Sequence, residues 1–146
     1  MVNLHIGIDD TDSPRTGCTT YVAALLVEKL NRLGIKFVDY PNLIRLNPNV
    51  PWKTRGNGAL CLRIQLKKGL LEEVKELTID IVEENADLEF EGTDPGIVFF
   101  TGMKIPEKIK NFSKNTIQGV VKLKFALELI KEFRAEAFGF KKCRGI

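Results

Sequence analysis

A strand, a helix, two strands, a helix and a strand follow one another in this chain. That succession predicts an α/β (α+β) fold with a single mixed sheet in the ferredoxin-like split-βαβ order. Two more helical patterns come after this succession, predicting a C-terminal helical extension. At 146 residues the chain suits one domain with a substantial core.

Residues 3–8 alternate Leu4, Ile6 and Ile8 with polar neighbours and predict the first strand, with His5, the only histidine, on its other face. Thr19 or Thr20 is placed to cap a helix marked by Val22, Leu25, Leu26, Leu30 and Leu33, and Gly34 ends it. Residues 35–40 and 43–46 read as extended, broken at Pro41. Pro48, Pro51, Gly56 and Gly58 make residues 47–58 a loop. The next strand is 59–66, where Leu60, Leu62, Ile64 and Leu66 alternate with Arg63 and Gln65. An acidic-faced helix then runs from Leu70 to about Glu84 on the stripe Leu70, Val74, Leu77 and Ile81. Asp94, Pro95 and Gly96 form a turn before a short buried strand at 97–101. Pro106 suits the first turn of a helix, and Val120, Leu123, Leu127, Ile130 and Phe133 carry a further helix. Residues 139–146 read as a strand entering a glycine-containing loop.

Cys18, Cys61 and Cys143 are scattered and odd in number, with no C-x-x-C, so neither a disulfide framework nor a zinc ribbon is supported. No apolar run is long enough to span a bilayer and no signal peptide is evident, which makes a cytoplasmic location the expectation. The net charge of +3 is unevenly spread: residues 68–96 hold two basic and ten acidic side chains, and 97–146 hold eleven basic and four acidic. Such segregation suits either a basic face for a polyanion or merely solvated helix faces.

Chemistry concentrates in two stretches. The first strand ends in Asp9, Asp10 and Asp12, carboxylates that repel one another unless a cation sits among them. A hard ion such as Mg²⁺ takes oxygen ligands of this kind. If the chain stays extended, Asp10 and Asp12 share a side. The competing reading is an acidic turn that leads into the helix. The helix start offers free N–H groups to an anion, although Gly17-Cys18-Thr19-Thr20 lacks the lysine of a Walker A motif. Pro14 likewise removes the threonine of a haloacid-dehalogenase pattern. Taken alone, Thr19 reads as a helix cap.

The second stretch is Lys53, Thr54, Arg55, Gly56, Asn57 and Gly58. Lys53 is a mobile point charge, Arg55 a planar fork for phosphate oxygens, and the glycines admit a ligand to the backbone. An ordinary Pro/Gly connection is the alternative. Trp52 is suited to stack on a base or to pack the loop. Both stretches together supply what phosphoryl transfer requires, since that chemistry is mostly positioning and charge neutralisation.

Gly7-Ile8-Asp9-Asp10-Thr11-Asp12-Ser13, Cys18-Thr19-Thr20-Tyr21, Leu43-Ile44-Arg45-Leu46-Asn47-Pro48 and the loop from Pro51 through Ala59 together resemble the archaeal agmatidine synthase family, the tRNA-isoleucine 2-agmatinylcytidine synthetases. The resemblance is strong to Ala59, weaker through the acidic helix, and returns at Pro95-Gly96 and Phe138-Gly139-Phe140. It implies an enzyme that uses ATP to phosphorylate the ring carbonyl of a tRNA wobble cytidine, after which agmatine displaces the phosphate. By the same resemblance, Asp9, Asp10 and Asp12 serve the nucleotide-bound Mg²⁺ and Thr19 accepts phosphate. Lys53 to Gly58 then contact the triphosphate, and isoleucine tRNA and agmatine are the partners. The family carries Asn-Gly where this chain has Lys142-Cys143, and Asn where it has Asp94. It also continues into an OB-fold and a zinc ribbon. The expectation is therefore a single ATP-dependent kinase-like catalytic domain over 1–146, truncated at its C-terminus, an interrupted gene product or a stand-alone relative, with a separate chain as one place for the OB-fold and zinc ribbon. A non-catalytic ferredoxin-like RNA-binding module and an inactive truncated relative are the competing readings.

Overall fold

The computed structural model describes residues 1–146. Its elements are β1 (Val2–Asp9), α1 (Thr19–Arg32), β2 (Lys36–Phe37), β3 (Asn42–Arg45), β4 (Gly58–Leu66), α2 (Leu71–Asn85), β5 (Gly96–Thr101), α3 (Glu107–Gln118), α4 (Leu123–Glu132) and β6 (Glu136–Gly139). A 3-10 turn, Lys68–Leu70, leads into α2.

The strands form one sheet in the order β2-β4-β1-β5-β6, with β3 also on β4. With β2 and β3 taken as one interrupted strand, β1 to β5 have the split-βαβ order that the sequence predicts. The expected mixed sheet needs one correction: every pairing is antiparallel. Each crossover helix carries the chain past a neighbouring strand, so the parallel pairs never become adjacent. β6 then adds an edge strand beside β5.

Register explains which side chains meet. Leu4 lies opposite Ile64 and Ile6 opposite Leu62, while Ile6 faces Phe99 across the other ladder. Side chains two apart share a face of a strand, so these residues make one apolar surface. Val22, Leu26 and Leu30 of α1 and Val74, Ile81 and Val82 of α2 cover it, and all belong to a single core cluster. Within α2 the buried stripe is Val74, Thr78, Ile81 and Val82; Leu77 lies at its margin.

Helix ends follow local chemistry. Gly34 takes φ +68 and donates to Asn31 O, while Ile35 donates to Leu30 O at 3.0 Å, a Schellman closure of α1. Arg134 takes φ +52 after α4 with the matching bond from Ala135 to Ile130 O. Pro106 occupies the N-cap position of α3 rather than its first turn. The final strand begins earlier than the sequence predicts, at Glu136. Lys75, nearly buried on α2, reaches Glu136 at 2.7 Å and Glu72 at 2.8 Å, which ties that strand to the helix layer. His5 settles on the second face of the sheet with its Nε2 2.9 Å from Gly102 O. All three cysteines are free. No helix is long and apolar enough to cross a membrane.

Candidate nucleotide and metal cleft

At the C-terminal end of β1 the chain leaves the sheet abruptly. Asp10 adopts φ +58, a left-handed conformation in which aspartate is tolerated better than most residues. The alternation argument for Asp10 and Asp12 therefore stops at the strand's last residue, because the backbone beyond it is not extended. Gly17, at φ +85, brings the loop back so closely that a Cβ there would stand 3.0 Å from Asp12 Cα and 3.2 Å from Thr11 O. Glycine is required at that position. Arg15 fixes the far side of the loop through two 2.7 Å bonds to Asp87.

The aspartates have different jobs. Asp9 accepts the Asp10 N–H at 2.7 Å, and Asp10 Oδ2 accepts the Asp94 N–H at 3.0 Å. Burial raises both carboxyls, Asp9 to about 7 and Asp10 to about 6, and repulsion from neighbouring carboxylates adds to each. Asp12 instead spends one oxygen on Thr54 Oγ1 and the other on Arg55 Nε, each at 2.8 Å. No three His, Cys, Asp or Glu side chains form a ready metal cluster. Asp9 and Asp10 nevertheless fit a hard cation: they are adjacent oxygen donors, withdrawn from water and mutually repelling, so a divalent charge relieves what burial imposes.

This arrangement makes stability depend on pH. A carboxyl raised in the folded state favours the protonated form, so its contribution is complete below its unfolded value and is lost as pH rises through 6 to 7. The metal-free protein is expected to melt at a lower temperature at pH 8 than at pH 5, with Mg²⁺ reducing the difference. Thermal melts at both pH values, with and without MgCl₂, measure it; Asp9→Asn should flatten the metal-free dependence.

Thr19 is the first helical residue, not the cap. Cys18 holds the N-cap position without a side-chain capping bond. The Thr19 hydroxyl turns back toward the strand end, where its oxygen accepts from Thr11 Oγ1 at 2.9 Å. Thr11 is fully buried and Thr19 8% exposed, so the pair is locked while Thr19 still borders the cleft. A hydrogen bond to Thr20 lowers the Cys18 thiol.

The 53–58 loop lies against this site, as the Thr54 and Arg55 bonds to Asp12 require. Lys53 is exposed on the cleft. Asn57 braces the loop, donating from Nδ2 to Asn47 O at 2.8 Å while its carbonyl accepts from Leu46 N–H. Gly56 leaves room for Arg45 Nη1, and Gly58 opens β4 against Leu43. The resulting cleft, about 450 Å³, is bordered by the three aspartates, Thr19 and the whole 53–58 stretch, with half-exposed Trp52 on its rim. All the residues singled out from sequence thus meet in one place.

Four polar residues of the site were not evident from sequence. Thr11 orients Thr19, and buried Thr93 donates to Asp12 O at 2.7 Å. Asp94 holds Asp10 and also accepts bonds from Arg144. Their positions in sequence look like ordinary turns. Only the clustering of Thr93-Asp94 immediately before a buried strand offered a signal.

Comparison with known proteins follows the same lines. Residues 5–71 match the family model of the TiaS TCKD domain. The isoleucine-tRNA 2-agmatinylcytidine synthetase TiaS of Pyrococcus horikoshii is 46% identical over 143 residues, which cover 98% of this chain and 33% of that protein. The Methanocaldococcus jannaschii TiaS is 44% identical over 151 residues, covering 100% and 36%. The chain therefore spans about a third of the length of these relatives. Among solved structures, a complex of TiaS with its isoleucine tRNA and ATP superposes with a TM-score of 0.90 at 36% identity, over 99% of this chain and 34% of that one. A complex of TiaS with the same tRNA, AMPCPP and agmatine gives 0.85 at 34% identity, over 99% and 34%.

Proposed function

Because the chain belongs to the TiaS family, whose TCKD domain it matches, we propose that it is the ATP- and Mg²⁺-dependent phosphoryl-transfer portion of an enzyme joining agmatine to cytidine of isoleucine tRNA. The observation that carries this reading is the meeting of the aspartates, Thr19 and the Lys53–Arg55 loop around one cleft. Phosphoryl transfer asks a protein mainly to align groups and neutralise charge, and these are the groups for it.

Asp9 and Asp10 would hold Mg²⁺, which when bound neutralises phosphate oxygens. Lys53 and Arg55 approach the phosphates from the loop, and the free N–H groups at the start of α1 add donors. Arg55 is held by Asp12 here; phosphate oxygens would compete for that guanidinium, and Asp12 would then be available beside the other two aspartates. Thr54 and Asn57 hold the loop in place, and Gly56 and Gly58 let its backbone come close. Thr19 receives or positions phosphate. Thr11 donates to its oxygen, so the Thr19 O–H is not spent on Thr11. In a transfer, Oγ would bond the terminal phosphorus as the bond from that phosphorus to ADP breaks, the hydroxyl proton passing to a phosphate oxygen or to water. In this reading residues 1–146 act as one catalytic domain, with isoleucine tRNA and agmatine as its partners.

The test is label transfer. With γ-labelled ATP and Mg²⁺ the protein should incorporate phosphate at Thr19, identified by peptide mapping. Thr19→Val should lose it while staying folded, with a melting temperature lowered by the loss of the acceptor for buried Thr11. Absence of label together with absence of Mg²⁺–ATP binding by calorimetry removes the reading.

A further inference from the structure

The turn formed by residues 143–146 is fastened to the acidic site chiefly through one residue, Asp94. Asp94 is 1% exposed. Its carboxylate accepts the Cys143 N–H at 3.0 Å, the Arg144 N–H at 3.1 Å and Arg144 Nε at 3.1 Å, while its carbonyl accepts the Gly145 N–H at 3.1 Å. Its own N–H goes to Asp10. Gly145 lies directly on the strand ends: a Cβ there would stand 2.6 Å from Gly96 N and 3.1 Å from Asp9 O. Cys143 is held at φ +62, a conformation a non-glycine residue rarely takes. The turn therefore owes its shape to Asp94, not to local preference.

What this fastening presents is Arg144. Its side chain is 35% exposed, borders the cleft together with Asp10 and Thr19, and lies near enough for its charge to be felt by Asp10. Nε is committed to Asp94, and Nη2 reaches Gly92 O at 3.3 Å. Nη1 has no hydrogen bond to the protein, so the guanidinium is anchored on one edge and has donors to spare on the other. An arginine fixed this way loses little freedom when it binds phosphate, the anion its fork fits best.

We propose that Arg144 is a phosphate-binding residue of the cleft, set in position by Asp94, and that its ligand is the oligophosphate chain of a magnesium-bound nucleotide. The proposal rests on the nucleotide reading above and adds a second cationic contact to that of the 53–58 loop. Asp94 acts as a positioning residue: its carboxylate is spent on Arg144 and the turn, and its N–H on Asp10.

The experiment is calorimetry on the full 146-residue chain with Mg²⁺–ATP and, separately, Mg²⁺–tripolyphosphate, which carries the phosphates without the nucleoside. Arg144→Gln is expected to weaken both by about tenfold or more, with the melting temperature held within a few degrees. Arg144→Lys, which keeps the charge, should recover part of the loss. Unchanged affinity in Arg144→Gln overturns the proposal, as does a loss that accompanies a collapse in melting temperature and is not recovered by lysine. Wild-type protein that binds neither probe overturns the nucleotide reading itself, a different failure from loss confined to the variant. Binding of tripolyphosphate but not ATP upholds the phosphate site and removes the nucleotide as its source.

Discussion

Asp10→Asn is expected to abolish Mg²⁺-dependent ATP binding, with affinity falling by about 100-fold or more, while the fold survives. Replacing groups that merely orient metal ligands costs roughly 10- to 100-fold, and losing a carboxylate ligand costs at least that. Asparagine is the informative substitution because it tolerates the left-handed backbone at this position, where alanine is strained. Its side-chain oxygen can still accept the Asp94 N–H. What disappears is the charge. Calorimetric titration with ATP in MgCl₂ and in EDTA separates the metal-dependent part, and a thermal melt checks integrity. A protein that merely binds RNA through its basic C-terminal helices would show no difference between variant and wild type and would keep its salt-sensitive RNA affinity.

Leu62→Ala is expected to destabilise the domain by about 3 kcal/mol, within the ~2–5 kcal/mol range for emptying a well-packed leucine site. Leu62 is fully buried in β4, which has partners on both sides, and it lies opposite Ile6 in the core cluster that residues of both helices also join. Neighbours on a strand packed this closely have little room to collapse into the space. Typical domains have only ~5–15 kcal/mol of total stability, so the loss should be plain in urea titration. The midpoint should fall with the slope unchanged. A midpoint shift below that of a surface substitution would mean the site repacks, contrary to the close packing described.

The core was readable because it depends on period. Alternating Leu60, Leu62, Ile64 and Leu66, and helically spaced Val22, Leu26 and Leu30, each declare which face is buried, and those faces do meet. The candidate site residues stand out in sequence as two polar concentrations and as motifs of one family, and they line one cleft. The unreadable part consists of long-range hydrogen bonds. Nothing near Asp94 announces that its carboxylate will hold a turn about fifty residues onward, and nothing near Arg55 announces Asp12 as its partner. Thr19 illustrates the same limit at short range. Its residue type suits a cap, but the path of the loop from Asp10 to Gly17 puts Cys18 at that position and turns the threonine inward. A one-residue shift changed the job.

The break at Pro41 has a consequence for how this molecule meets others. Phe37 pairs with Ile64 and Asn42 with Cys61, so five steps along one strand are matched to three along the other, and the ladder is interrupted there. At the opposite margin β6 is only four residues long. Neither border presents a long row of unpaired main-chain groups, the template on which a foreign strand would zip up. The sheet is thereby guarded against amyloid-like growth and against recruiting a partner by strand addition. Recognition on this domain then falls to its side chains and its loop and helix-start backbone rather than to strand addition.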